Sequence, residues 1–174
     1  MALPALALSL LLAVPPSATP AAKAVDPWSA LRFLVGTWRA ETGGGKPGEA
    51  TGGGFTFAID LGGKVAVRRN RSEFAPRPGE AKGTVHEDLM VIYPKGNGLQ
   101  ALYWDDEGHV IRYAVRSEAG TLIFESDPAA PGPRFRLVHA RRGAEVVEIS
   151  FSIAMPGKGF QPYVTGLARR VGDP

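Results

Sequence analysis

The stretch DPWSALRFLVGTW, residues 26–38, decides the fold. Asp26 is placed to accept hydrogen bonds from the first free helical N–H groups, and Pro27 suits the first helical position, where no donor is needed. The segment therefore predicts a short capped helix running straight into a strand that opens with Gly36-Thr37-Trp38. Beyond Trp38 the chain offers strand after strand and no convincing helix. A lone helix ahead of an antiparallel run suits a plug at one end of a barrel.

Working outward, apolar–polar alternation recurs between turn signals, the pattern of half-buried antiparallel strands. It predicts strands at 36–42, 54–60, 64–74, 84–93, 99–105, 110–117, 120–126, 134–141, 145–153 and 163–170. Gly62-Gly63, the run Pro94 to Gly98, Asp106-Glu107-Gly108 and Arg142-Gly143 punctuate them with residues that tolerate turn angles. The glycine-rich stretch 43–54 reads as a loop, and so do 76–79 and 128–133. No strand–loop–helix follows the glycines, so phosphate binding is not indicated. The expected fold is all-β, an antiparallel up-and-down barrel of about ten strands with a short N-terminal helix closing one end. Closing the sheet removes exposed edges. A sandwich is the alternative.

Residues 1–24 read as a leader rather than as part of the fold. Leu3 to Val14 is a short Ala/Leu core, broken by Pro15-Pro16, and Ala22-Lys23-Ala24 fits a small-x-small cleavage site. Cleavage is expected after Ala24, or alternatively after Ala18. No Lys or Arg precedes the apolar core, and the run falls short of the roughly 20 residues a bilayer span needs. The expectation is an exported protein, periplasmic or extracellular, with residues 25–174 as one domain and no integral membrane segment once the leader is removed. The absence of Cys excludes disulfides, a lipobox anchor and thiolate metal sites. Net charge is +3, and basic residues are interspersed with acids. The short Arg68-Arg69-Asn70-Arg71 run lacks the interleaved aromatics of a nucleic-acid face, so no nucleic-acid partner is expected.

A period of two also assigns faces. Val147, Ile149, Phe151 and Ile153 share one side of their strand, as do Ile111, Tyr113 and Val115. Phe55, Phe57 and Ile59 form another set, and Phe135, Leu137 and His139 a fourth. Arg69 and Arg71 share parity with Val65 and Val67, so inward valines would bring Arg69 to the lumen, able to hold an acid group. Of the histidines, His109 belongs to a turn and His86 opens a strand, while His139 lies on an apolar face. No His-x-His or Glu-x-x-His spacing suggests a metal site, and no Gly-x-Ser-x-Gly elbow or Cys nucleophile is present.

The helix, Gly36-Thr37-Trp38, and an antiparallel run ending in Leu167-Ala168-Arg169-Arg170 together resemble the calycin superfamily of lipocalin-like barrels. Within it the chain is most similar to nitrobindin-type and related bacterial lipocalin-like domains. The resemblance implies that the first-strand Trp closes the barrel floor beneath an Arg of the last strand, here Trp38 and Arg169. Such a cation–π contact is worth about 0.5–2 kcal/mol. Nitrobindin-type proteins hold haem through a His near the start of the last strand, in a pattern like Gln-Pro-His-Leu. Gln161-Pro162-Tyr163-Val164 stands there in this chain, which puts Tyr163 at the haem-ligand position. Tyr can ligate haem iron, but a buried Tyr more commonly packs with one hydrogen bond. No cofactor is therefore expected, with haem through Tyr163 as the alternative.

The functional expectation is a barrel whose interior holds a small apolar or amphipathic ligand. Phe57, Tyr113, Phe135, His139, Phe151 and Tyr163 line its cavity, and Arg69 anchors an acid group. No catalytic or metal-binding residue is assigned. The alternatives are a filled-core structural or partner-binding barrel and a cofactor-free cavity enzyme.

Overall fold

The computed structural model describes residues 26–42 and 50–172. The leader segment 1–24 therefore lies outside the described residues, and so does 43–49 of the glycine-rich stretch. Ten strands succeed one another: β1 (Gly36–Ala40), β2 (Ala50–Asp60), β3 (Val65–Phe74), β4 (Thr84–Lys95), β5 (Gly98–Asp105), β6 (Val110–Glu118), β7 (Thr121–Ser126), β8 (Arg134–Arg141), β9 (Val146–Ala154) and β10 (Gln161–Gly172). Each pairs antiparallel with its sequence neighbour, and β1 pairs with β10 to close the barrel. This architecture is compatible with a calycin-like fold. No helix among the described residues is long and apolar enough to cross a membrane.

The N-terminal α-helix expected from sequence is not formed by residues 26–35. Asp26 does cap the segment, its Oδ1 accepting from the Trp28 N–H at 3.0 Å. The backbone then makes a set of turns and one 3₁₀ turn, Arg32–Leu34. Trp28, Leu31 and Leu34 are all buried, and they are spaced by three. A repeat of three matches the tighter 3₁₀ winding rather than 3.6 residues per turn. The segment still packs into the core at one end of the barrel, where the Trp28 indole N–H donates to Gly63 O at the β2–β3 turn.

Such a short segment leaves its carbonyls without helical partners. Trp38 Nε1 donates to Leu34 O at 2.8 Å. The Arg170 guanidinium donates to Val35 O and Phe33 O, and its Cζ lies 4.4 Å from the Trp38 ring centroid. The closing arginine is thus Arg170, not Arg169. Register explains the correction, since Trp38 pairs with Arg170 while Arg169 pairs with Arg39 on the outer face. There Arg169 meets Glu41 in an exposed ion pair.

The glycine-rich stretch also differs from expectation, because β2 begins at Ala50 and uses Gly52 to Gly54 as strand. Gly53 adopts a φ of +112°, and a Cβ placed there would sit 2.1 Å from Arg71 O. Glycine is what allows β2 to approach β3 this closely.

Candidate functional site

The two ends of the barrel are built differently. At the end plugged by Trp28, Leu31 and Leu34, inward residues are fully covered: Ala66, Ile92, Ala101, Leu122 and Val147 are all buried. At the opposite end, inward residues such as Asn70, His86, Tyr103, Phe135, Ile149 and Phe151 are only half-buried. β1 stops at Ala40, opposite Ala168. Just past it Glu41 N donates to Leu167 O at 2.8 Å, and from Gly166 back to Gln161 β10 has only β9 as a strand neighbour among the described residues.

Gly166 lies in this part of β10. It pairs with Ile149, and Ile149 pairs with His139, so the three form one inward row across β10, β9 and β8. A Cβ built on Gly166 meets no atom of the described residues within 4 Å. None of the described side chains fills the inner side of the wall at that position.

The expected lining residues divide between floor and mouth. Phe57, Tyr113 and His139 are fully buried. The His139 ring meets Phe55, Phe57 and Phe124 edge-on, at centroid distances of 5.4, 5.5 and 6.0 Å. These side chains interlock as the floor of the lumen. Phe135 and Phe151 stack at 6.1 Å in the mouth. Tyr163 does not line the lumen: it is the extra residue of a β-bulge between Pro162 and Val164 and is 66 % exposed. A bulge residue escapes the alternation on which its inward assignment rested. Its ring touches the edge of Phe151 at the rim.

Arg69 also points outward, contrary to expectation. In β3 the inward residues are Ala66, Arg68 and Asn70, because Val67 joins Val91 and Leu102 in an apolar stripe on the outer wall. Arg69 instead borders an open groove of about 670 Å³ with Thr37, Thr56, Leu89 and Trp104, whose walls also include parts of Trp38, Phe55, Asn70 and Asp88.

The inward arginine is Arg68, paired with Asp88 and as deeply buried as its partner. Asp88 Oδ2 also accepts from Asn70 Nδ2 at 2.9 Å. Toward the mouth, Tyr103 donates to Asp105 Oδ2 at 3.3 Å and lies 3.2 Å from His86 Nε2. His86 Nδ1 faces Asp106 at 3.3 Å. Strands β3, β4 and β5 thus present a polar wall, while β8, β9 and β10 present Phe135, Leu137, Ile149, Phe151 and Val164 opposite it.

Protonation is set by these contacts. Burial, reinforced by Asp88 and Asp105, pushes the Tyr103 phenol well above its ordinary range, so it is a donor and not a nucleophile. Burial acts to raise the Asp105 carboxyl, but hydrogen bonds from the His109 backbone and ring outweigh it and hold the carboxyl below its usual value. Burial, followed by the charge of Arg68, drives His139 well below the ordinary imidazole value and keeps it neutral. Both His139 ring nitrogens and Arg68 Nε are buried with no hydrogen-bond partner among the described residues.

Arg68, Asp88, Asn70, Tyr103 and Gly166 do not figure among the residues assigned from sequence. The shared parity of His86 and Asp88 with Met90 and Ile92 was the available signal for the β4 members. Among the described residues, no three His, Asp or Glu side chains converge as metal ligands. Compared with known proteins, the chain matches no family model, and no curated protein matches it.

Proposed function

We propose that this protein is an exported ligand-binding barrel that takes a small, mainly apolar molecule into its lumen through the open end. The observation that carries this is the inner side of the wall at Gly166, which none of the described side chains fills, flanked by half-buried inward aromatic and aliphatic side chains. Covering Phe135, Ile149 and Phe151 with a ligand supplies roughly 25 cal/mol per Å² of apolar surface removed from water. The polar wall orients the bound molecule, and the interlocked floor stops it from passing through. Export rests on the leader-like composition of residues 1–24, and kinship with nitrobindin-type calycins rests on the motifs around Trp38 and Arg170. Tyr163, exposed on its bulge, is given no haem-ligating role in this proposal.

Titration of the full chain with Nile red, an uncharged apolar dye, tests the proposal. Saturable binding is expected in the wild type, weakened by at least about tenfold in Gly166→Phe, which fills the space without touching the plugged end. Equal binding by both proteins would overturn it. A second function, a filled-core structural or partner-binding barrel, is favoured by the interlocked Phe55, Phe57, Phe124 and His139. It predicts no saturable dye binding by either protein.

A further inference from the structure

The rim of the open end has two unlike sides. Beside β4 and the β5–β6 turn it is acidic, with Glu87, Asp106 and Glu107 exposed. Val85 and Val110 are exposed singly on that side, which is ordinary for a protein surface. Beside β8, β9 and β10 the rim is apolar and basic. Met155, just past the end of β9, is 58 % exposed, and Tyr163 near the start of β10 is exposed with it. Between the loops 127–133 and 155–160 lies a notch of about 480 Å³, where Pro128, Ala130 and Met155 adjoin Arg134 and Lys158.

Positive charge in this sector is left over. Arg136 is matched by Glu125, whereas Arg134 and Lys158 have no ion-pair partner among the described residues. The two loops contain one acid, Asp127, whose Oδ1 accepts from the Ala129 N–H at 2.8 Å. Two cations against one anion leave a local charge of +1. Phe160 steadies the basic side, its ring centroid 4.9 Å from Arg134 Cζ and 3.9 Å from Arg136 Cζ. An aromatic path leads inward from the exposed patch. Tyr163 meets Phe151 edge-on at 6.2 Å, and Phe151 stacks on Phe135 in the mouth.

We propose that this sector of the rim docks on an anionic lipid bilayer. Met155 and Tyr163 enter the headgroup boundary, where apolar and aromatic side chains settle. Arg134 and Lys158 meet the lipid phosphates. The acidic side of the rim is repelled, which tilts the barrel onto β8–β10. An apolar molecule leaving the bilayer then has the path along Tyr163 and Phe151 into the mouth. Docking goes beyond the lumen-binding proposal and does not depend on it, since Nile red titration without vesicles reads the lumen separately.

The test sediments the full chain with vesicles of phosphatidylcholine alone and with vesicles that also contain phosphatidylglycerol. Partitioning should be at least about fivefold stronger on the anionic vesicles, the factor that one net charge near such a surface supplies. Added salt should weaken it. Lys158→Glu should lower it about tenfold or more. Lys95→Glu makes the same charge change at the β4–β5 turn of the plugged end and should alter it by no more than about twofold. Met155→Ser combined with Tyr163→Ser should lower it about fivefold. An NBD fluorophore on Met155→Cys should brighten on anionic vesicles, and one on Lys95→Cys should not. No binding to the anionic vesicles would overturn the proposal and leave the patch to a protein partner. Equal losses in Lys158→Glu and Lys95→Glu would also overturn it, because overall charge would then be responsible. Unchanged binding in the double serine variant would do the same.

Discussion

The plugged end and the open end of this barrel obey the same alternation, yet they produce opposite surfaces. At the plugged end, Trp28, Leu31 and Leu34 pack with the buried apolar side chains of Ala66, Ile92, Ala101, Leu122 and Val147 in one core. Arg170 and Trp38 tie down the carbonyls that the plug leaves free. At the open end, β1 has stopped, β10 bulges at Tyr163, and inward residues stay half-buried with a polar wall on one side. The contrast teaches that a period-two pattern sets which way a side chain points, whereas capping determines whether that direction is buried. Stability should therefore reside at the plug and recognition at the mouth.

The sharpest way to break this division is to truncate one residue from each region. Trp38→Ala removes a buried ring together with its hydrogen bond and cation–π partner, and about 3–5 kcal/mol of stability should be lost in denaturant unfolding. Phe151→Ala at the half-buried mouth should cost clearly less stability but weaken Nile red binding more than any conservative change at the plug. Equal losses of stability would remove the distinction.

Next in size is the buried pair beneath the polar wall. Asp88→Asn leaves Arg68 charged and unmatched, with an expected cost of about 3–5 kcal/mol. The double change Arg68→Met with Asp88→Leu should be milder than Asp88→Asn alone. A double variant worse than the single one would mean that the pair contributes to stability beyond neutralising itself.

A smaller effect sharpens the role of the floor. Because His139 is held neutral below its ordinary value of 6.5, the unfolded chain takes up a proton there that the folded chain refuses. Stability should then fall as pH drops below about 6.5, approaching about 1.4 kcal/mol per pH unit from this group until the folded value is reached. Unfolding curves of the wild type and His139→Phe across that range should diverge toward acid, the variant losing less. Parallel curves would contradict the buried, neutral assignment. Least in size is the contrast between adjacent arginines. Arg170→Ala should cost about 1–3 kcal/mol, and the exposed Arg169→Ala no more than about 0.5 kcal/mol.

Much of the architecture was legible because turn residues and alternation act locally. All ten strands and the inward sets in β2, β6, β8 and β9 come from them, and β8 spans Arg134–Arg141 as expected. The misassignments share one cause, which is that local periodicity does not carry register. Arg169 and Arg170 differ by a single position, and only pairing with β1 selects Arg170 for Trp38. The outward stripe of Val67, Val91 and Leu102 inverted the reading of β3 and concealed Arg68. The bulge at Tyr163 belongs to the pairing of β10 with β9, and the unpaired edge at Gly166 to where β1 ends, neither of which alternation within β10 records.

Because the chain contains no cysteine, a single introduced thiol reports accessibility without background. The most direct test of one plugged and one open end compares labelling of Gly166→Cys and Ala101→Cys by a small maleimide under native conditions. Rapid modification at position 166, slowed by Nile red, with position 101 reacting only on unfolding, is the expected result. Equal protection at both positions would mean a filled barrel and would contradict the open lumen.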